Sequence, residues 1–217
     1  MKYKQLLILF FFNINSVFAQ VVNVREHFAV GYGYRNHTSA TTLGYNGTFV
    51  FGKKEIIHAG FGVRMTSFNE QPRDFVGISK NMKGVVINPA SKSNINSFNV
   101  PIYLEFHSKY LLFGGNIDLF GFSLGKKNSS PSIIGVKKPD SLFIKPTFIN
   151  FFGRGTNNAE VYIGFKPRDE LTIRLGVSFL FAEYHARYRY LKTNNDYGRY
   201  YHSAMMPFVT IVFNNDR

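Results

Sequence analysis

The 217-residue sequence has no cysteine and no tryptophan. Without cysteine there is no disulfide framework, no thiolate metal site, no cysteine nucleophile and no attachment point for a lipoprotein anchor. Acidic residues are scarce: 13 stand against 26 lysines and arginines, a formal charge of +13. Long apolar runs are missing as well. Beyond the first twenty residues no stretch approaches the roughly 18 uninterrupted apolar residues that mark a helical membrane span. With hydrophobic residues at an ordinary 45%, a bundle of membrane helices is excluded.

Aromatic residues and glycine are plentiful instead, with 24 Phe, 13 Tyr and 19 Gly. That profile suits strands whose rings meet a lipid–water interface better than it suits a soluble helical enzyme.

The N-terminus is expected to direct the chain out of the cytoplasm. Lys2 and Lys4 precede a short apolar core, Leu6 to Phe12, which Asn13, Asn15 and Ser16 end. Val17-Phe18-Ala19 then offers a cleavage site before Gln20, the layout of a secretory signal peptide. The core falls short of the roughly 20 residues that an anchor needs. The expected organisation is a signal peptide over 1–19 and one mature domain over 20–217, and losing Lys2 and Lys4 leaves that domain at +11. Export turns the basic balance away from nucleic acid and toward anionic lipid and the phosphates of lipopolysaccharide.

Alternation sets the fold class. Phe28, Val30, Tyr32 and Tyr34 alternate with Ala29, Gly31, Gly33 and Arg35. The pattern recurs at Ile57, Ala59, Phe61, Val63 and Met65, at Val100, Ile102, Leu104 and Phe106, and at every second residue from Leu171 to Phe181. Period 2 gives each strand one apolar face and one small or polar face. In a soluble sandwich the polar face meets water and would carry more Lys, Glu and Thr. Here it is rich in glycine, as the lining of a narrow barrel would be. The expectation is an all-β fold, a transmembrane antiparallel up-and-down barrel.

Strands are expected near 26–36, 41–52, 55–68, 96–107, 110–124, 157–166, 170–189 and 198–213. Short turns at 52–55, 107–109 and 166–169 alternate with longer links at 69–95, 125–156 and 190–197, as periplasmic turns alternate with extracellular loops. Parity favours an even number, eight, with ten as the alternative. Leu142 to Phe152 resists this count. It is either a folded excursion broken at Pro146 or half of an extra pair of crossings.

Carried through the strands, the alternation turns Arg35, Arg64, Glu105, Asp118, Glu160 and Arg174 inward. An eight-stranded barrel is just filled by its side chains, so such charges are expected to pair and plug the lumen. The loops are basic, and Lys126, Lys127, Arg187 and Arg189 are candidate contacts for lipopolysaccharide. Tyr184, Tyr188, Tyr190, Tyr200 and Tyr201 mark an aromatic girdle.

No catalytic constellation is expected. His202 and Ser203, with Glu183 on the neighbouring strand, come nearest, but adjacent strand residues face opposite sides. The six histidines show no ligand spacing, so neither a metal nor any other cofactor is expected.

Several stretches carry a resemblance: Asn99 to Phe106, Gly114 to Lys127, Lys145 to Asn150, Ala159 to Phe165 and Arg174 to Tyr184. They resemble a family of small outer-membrane β-barrel proteins of Bacteroidetes-type bacteria. The resemblance implies a barrel in a Gram-negative outer membrane and implies no activity. The leading functional expectation is a non-enzymatic barrel acting structurally or through its loops. An accessory of envelope biogenesis or secretion, with an envelope protein partner, is the alternative. A lipid-A-modifying enzyme and a narrow porin follow.

Overall fold

A strand with one apolar and one polar face needs a partner for both faces and for its backbone edges. Closure on itself pairs the edges and encloses the polar face, leaving the apolar face outward. The computed structural model describes residues 21–52, 54–71, 75–77, 86–88, 92–126, 128–129, 132–133, 142–151, 154–188 and 198–215. The signal peptide expected over 1–19 lies outside them.

In chain order the strands are β1 (Val21–Arg35), β2 (Thr38–Phe51), β3 (Ile57–Glu70), β4 (Phe75–Gly77), β5 (Val86–Asn88), β6 (Ser93–His107) and β7 (Leu111–Gly125). There follow β8 (Asn128–Ser129), β9 (Ser132–Ile133), β10 (Leu142–Pro146), β11 (Ile149–Phe151), β12 (Asn157–Arg168), β13 (Leu171–Tyr188) and β14 (Gly198–Asn215). Eight are long: β1, β2, β3, β6, β7, β12, β13 and β14. Each pairs antiparallel with the next, and β1 pairs with β14 from Glu26↔Asn215 to Gly33↔Phe208. The sheet is therefore a closed antiparallel barrel of eight strands.

Three tight connections gather at one end, at 52–56, 108–110 and 169–170, together with the outer ends of β1 and β14. This is the turn end. The opposite, loop end carries the connections at 71–92, 126–156 and 189–197. The β1–β2 link there is a two-residue turn in which Asn36 and His37 both take positive φ, 48° and 65°. That is the hairpin geometry whose twist matches the strands, and Asn tolerates it well.

Of the stretch from Leu142 to Phe152, the described residues 142–151 form no crossing. The stretch divides after Pro146, which cannot donate to a ladder. β10 pairs with β13 from Leu142↔Tyr188 to Pro146↔Tyr184, and β11 pairs with β7 from Ile149↔Phe122 to Phe151↔Phe120. Both occupy the space between β7 and β13 beyond the start of β12. The excursion thus extends the wall, and the count stays at eight.

The wall is inverted relative to a soluble protein. Phe28, Leu43, Phe61, Leu104, Phe113, Ile163, Leu175 and Ile211, one from each long strand, are 43–61% exposed on the outer face. Cross-strand rings reinforce that face, with Phe98 on Phe122 at 5.1 Å and Phe28 on Phe213 at 6.4 Å. The inner face is packed. Glycine is required where coiled neighbours press together: a Cβ on Gly176 would run into the Val161 carbonyl, and one on Gly62 into the Tyr45 carbonyl.

Candidate functional site

The inward residues form three layers. At the loop end an apolar layer contains Ala40, Phe68, Ile95, Leu180, Ala182, Tyr184, Tyr200 and Met206. Glu70 is buried beside it, with His202 Nδ1 2.9 Å from its carboxylate.

The middle layer centres on Arg64, which is 4% exposed. Its guanidinium donates through Nε and Nη2 to Asp118, through Nη1 to Asn116 Oδ1 at 2.7 Å and through Nη2 to the Asn158 carbonyl at 2.9 Å. Glu160 lies 3.1 Å from Nη1. The carboxylates have further donors. Asp118 accepts from Asn99 Nδ2 and the Asn158 N–H, and Glu160 accepts from the side-chain amides of Asn116 and Asn158. Asn150, carried in by β11, donates to Asn99 and so ties the excursion to this layer.

Below it Arg174 donates to Glu105 Oε1 at 2.6 Å and lies over the Tyr162 ring, whose hydroxyl also donates to Glu105. A glycine makes room for this pair: Gly114 is the ladder partner of Glu105, and a Cβ there would run into the Glu105 side chain and the Tyr162 ring. The space left between the two charged layers is a cavity of about 20 Å³ lined by Arg64, Tyr103, Asn116, Glu160, Arg174 and Thr210. It has room for about one water molecule.

Five of the six charges expected in the lumen are thus brought together. Arg35 is the correction. It has the inward parity of β1 but stands at the last residue of the strand, exposed, with its guanidinium donating to the Met205 carbonyl at 3.1 Å. Parity fixes the face of a residue and leaves its depth along the barrel open.

Of the candidate lipopolysaccharide contacts, Lys126 is exposed just past β7. Lys127 and Arg189 lie outside the described residues, as does the side chain of Arg187. Among the aromatic positions, Tyr184 and Tyr200 point inward and are buried, so they belong to the apolar layer, not to a girdle. Tyr201 stacks on Phe181 at 5.5 Å on the outer face.

His202 and Ser203 separate as adjacent residues do. His202 faces Glu70 inside the barrel, and Ser203 is exposed on the outer face. Glu183 also faces outward, yet it is buried under the excursion. It accepts from Arg199 through Nε at 2.8 Å and Nη2 at 2.7 Å, and from Thr147 Oγ1 at 3.2 Å. Here, past the Phe181–Tyr201 stack, the outer face turns polar. Burial pushes the Glu183 carboxyl up, but the Arg199 hydrogen bonds and charge, with the Gly155 N–H, outweigh it and hold the group below the usual carboxylate range.

The turn end opens on a vestibule of about 800 Å³. His58 and His107 line its inner wall, and Glu105 lies buried against them, with ligand atoms of the three all within 4.8 Å of one another. No spacing between histidines announced this cluster. The available signal was Glu105-x-His107, two polar residues on one face of a strand otherwise apolar on its other face.

No protein-family model matches the chain, and no curated protein matches its sequence. Among solved structures it is similar to the Yersinia pestis outer membrane protein Ail, determined in a phospholipid bilayer nanodisc. The identity is 12% and the TM-score 0.42, over 89% of this chain and 100% of Ail. It is also similar to a FadL homologue of Pseudomonas aeruginosa, at 12% identity and a TM-score of 0.20, over 82% of this chain and 68% of the homologue.

Proposed function

We propose that the mature chain resides in the outer membrane of a Gram-negative bacterium as a barrel closed by its own side chains, and acts structurally or through basic extracellular loops. The carrying observation is the inversion of the barrel: every long strand presents large apolar side chains outward around a lumen of paired, buried charges. Such an outer wall is stable against hydrocarbon, and strands of 12–18 residues are long enough to cross tilted. The proposal includes export by residues 1–19 and membership of the Bacteroidetes-type family that the strand sequences resemble. The loop end then faces outward, where Lys126, Lys127, Arg187 and Arg189 meet lipopolysaccharide.

A non-enzymatic role is part of this reading. The separation of His202 from Ser203 across the wall supports it, because a dyad needs both groups on one side. A narrow porin is disfavoured because the Arg64 and Arg174 layers leave about 20 Å³ between them.

Planar-bilayer recording tests the closed lumen. The refolded barrel is expected to give no steady conductance, and stable open-channel currents would refute it.

A further inference from the structure

The vestibule at the turn end has one wall that the closed lumen does not account for. His58 on β3 is the ladder partner of Glu105 on β6, and His107 follows two residues later on the same face. The two imidazoles stack at 3.6 Å between centroids. Glu105 and His58 are each 1% exposed.

The hydrogen bonds fix where the protons and lone pairs sit. His58 Nε2 lies 3.1 Å from the Glu55 carbonyl, which can only accept, so Nε2 carries the proton. His58 Nδ1 is left with a lone pair, buried and with no hydrogen-bond partner among the described residues. Burying an acceptor in this way is costly unless something completes it. His107 Nδ1 stands 2.6 Å from Lys166 Nζ and Nε2 stands 2.7 Å from Glu105 Oε2. The lysine ammonium only donates, so His107 Nε2 carries the proton that Glu105 accepts.

We infer that His58, Glu105 and His107 form a site for a divalent transition-metal ion, of which Zn²⁺ is the best fit. Two imidazoles and a carboxylate are a zinc donor set, and zinc imposes no geometry through its d electrons. The His58 lone pair is ready. Glu105 Oε2 becomes available when the His107 proton leaves Nε2, and the fourth position opens on the vestibule, as in zinc sites that keep an exchangeable ligand. Binding requires the stacked rings to turn so that their lone pairs converge. The His107 proton that leaves Nε2 moves to Nδ1, where Lys166 now stands. Lys166 therefore opposes the metal twice, by its charge and by holding that nitrogen as an acceptor. Arg174, bound to the other oxygen of Glu105, adds a further opposing charge and makes this a modest site rather than a tight structural one.

The test uses the refolded barrel without a polyhistidine tag, titrated with Zn²⁺ by calorimetry and with Co²⁺ by visible absorption. The expected result is one ion per chain and a Co²⁺ spectrum of a four-coordinate, histidine-ligated ion. His58→Gln should weaken binding at least about tenfold, on the scale of losing one contact around a metal. Lys166→Gln, at the rim, should tighten it, because glutamine removes the charge and offers an acceptor to His107 Nδ1–H. Folding of each variant is checked by circular dichroism, and the Lys166 arm stands even if the His58 variant does not fold. Absence of saturable binding by the wild type, equal affinity in a folded His58→Gln barrel, or weaker binding by Lys166→Gln would each overturn the site.

Discussion

Replacing Arg64 by methionine removes one cation from between two carboxylates and keeps much of its volume. Asp118 would retain Asn99 and the Asn158 N–H, and Glu160 would retain Asn116 and Asn158. Neither carboxylate would retain the opposite charge that makes its burial tolerable. Removing one partner of a buried pair costs about 3–5 kcal/mol, because a charge is left uncompensated. With a urea slope of about 2 kcal/mol per molar, the unfolding midpoint falls by about 1.5–2.5 M. The triple variant Arg64→Met, Asp118→Asn, Glu160→Gln discriminates between causes. It removes all three charges while keeping the amide hydrogen bonds, so it should recover most of the loss. Tyrosine fluorescence and far-ultraviolet dichroism in lipid vesicles follow unfolding, since the chain has no tryptophan. A single variant within about 1 kcal/mol of the parent, or a triple variant less stable than the single one, would refute the view that Arg64 matters as a counter-charge.

The Glu183 latch carries a pH dependence. Its folded carboxyl titrates below its ordinary value of about 4.3, so the latch contributes fully above that value and is lost as pH falls through the folded one. Hydrogen-exchange protection of residues 147–156 should therefore drop in that acid window, while Glu183→Gln should already show lower protection at pH 7; equal protection at pH 7 would count against the latch. The loop charges make a separate prediction. Neutralising Lys126, Lys127, Arg187 and Arg189 to glutamine should weaken binding to lipopolysaccharide micelles by about 1 kcal/mol per charge at low salt. It should also flatten the salt dependence, and an unchanged salt slope would leave these residues as ordinary solvated charges.

Alternation made the wall legible because lipid and lumen impose opposite demands on successive residues. The eight long strands fall within a few residues of their expected bounds, save that β1 begins at Val21 and pairs through to Phe51. The five lumen charges were legible for the same reason. What escaped was depth and register. Arg35 has the right face at the wrong height. Glu183 has an outward parity but is buried, because Thr147 and Gly155 of the excursion close on its carboxylate, and no local pattern announces that cover. His58 and Glu105 meet through the register of β3 against β6, strands joined by the long connection at 71–92. A tight turn would have fixed that register in the sequence; a long link leaves it to packing across the whole sheet.

The two ends of the lumen are consequently unlike in chemistry. Toward the loops, Phe68, Ile95, Leu180 and Met206 close the interior with apolar side chains, and the Glu183 latch holds the excursion across the neighbouring wall. Toward the turns, the interior is reached through a polar vestibule lined by His27, His58, His107, Glu55 and Lys166, and Glu105, held by Arg174, lies buried behind His58 and His107. A solute or ion entering from the turn end meets histidines and a carboxylate before it meets a barrier. Among the described residues, one from the loop end meets the apolar layer before the charged ones. In the proposed orientation, polar chemistry inside the barrel answers to the compartment at the turn end, and the basic loops answer to the other. Substitutions at His58 or Lys166 should leave lipopolysaccharide binding unchanged, because the Arg64 and Arg174 layers and the apolar cap stand between the two ends.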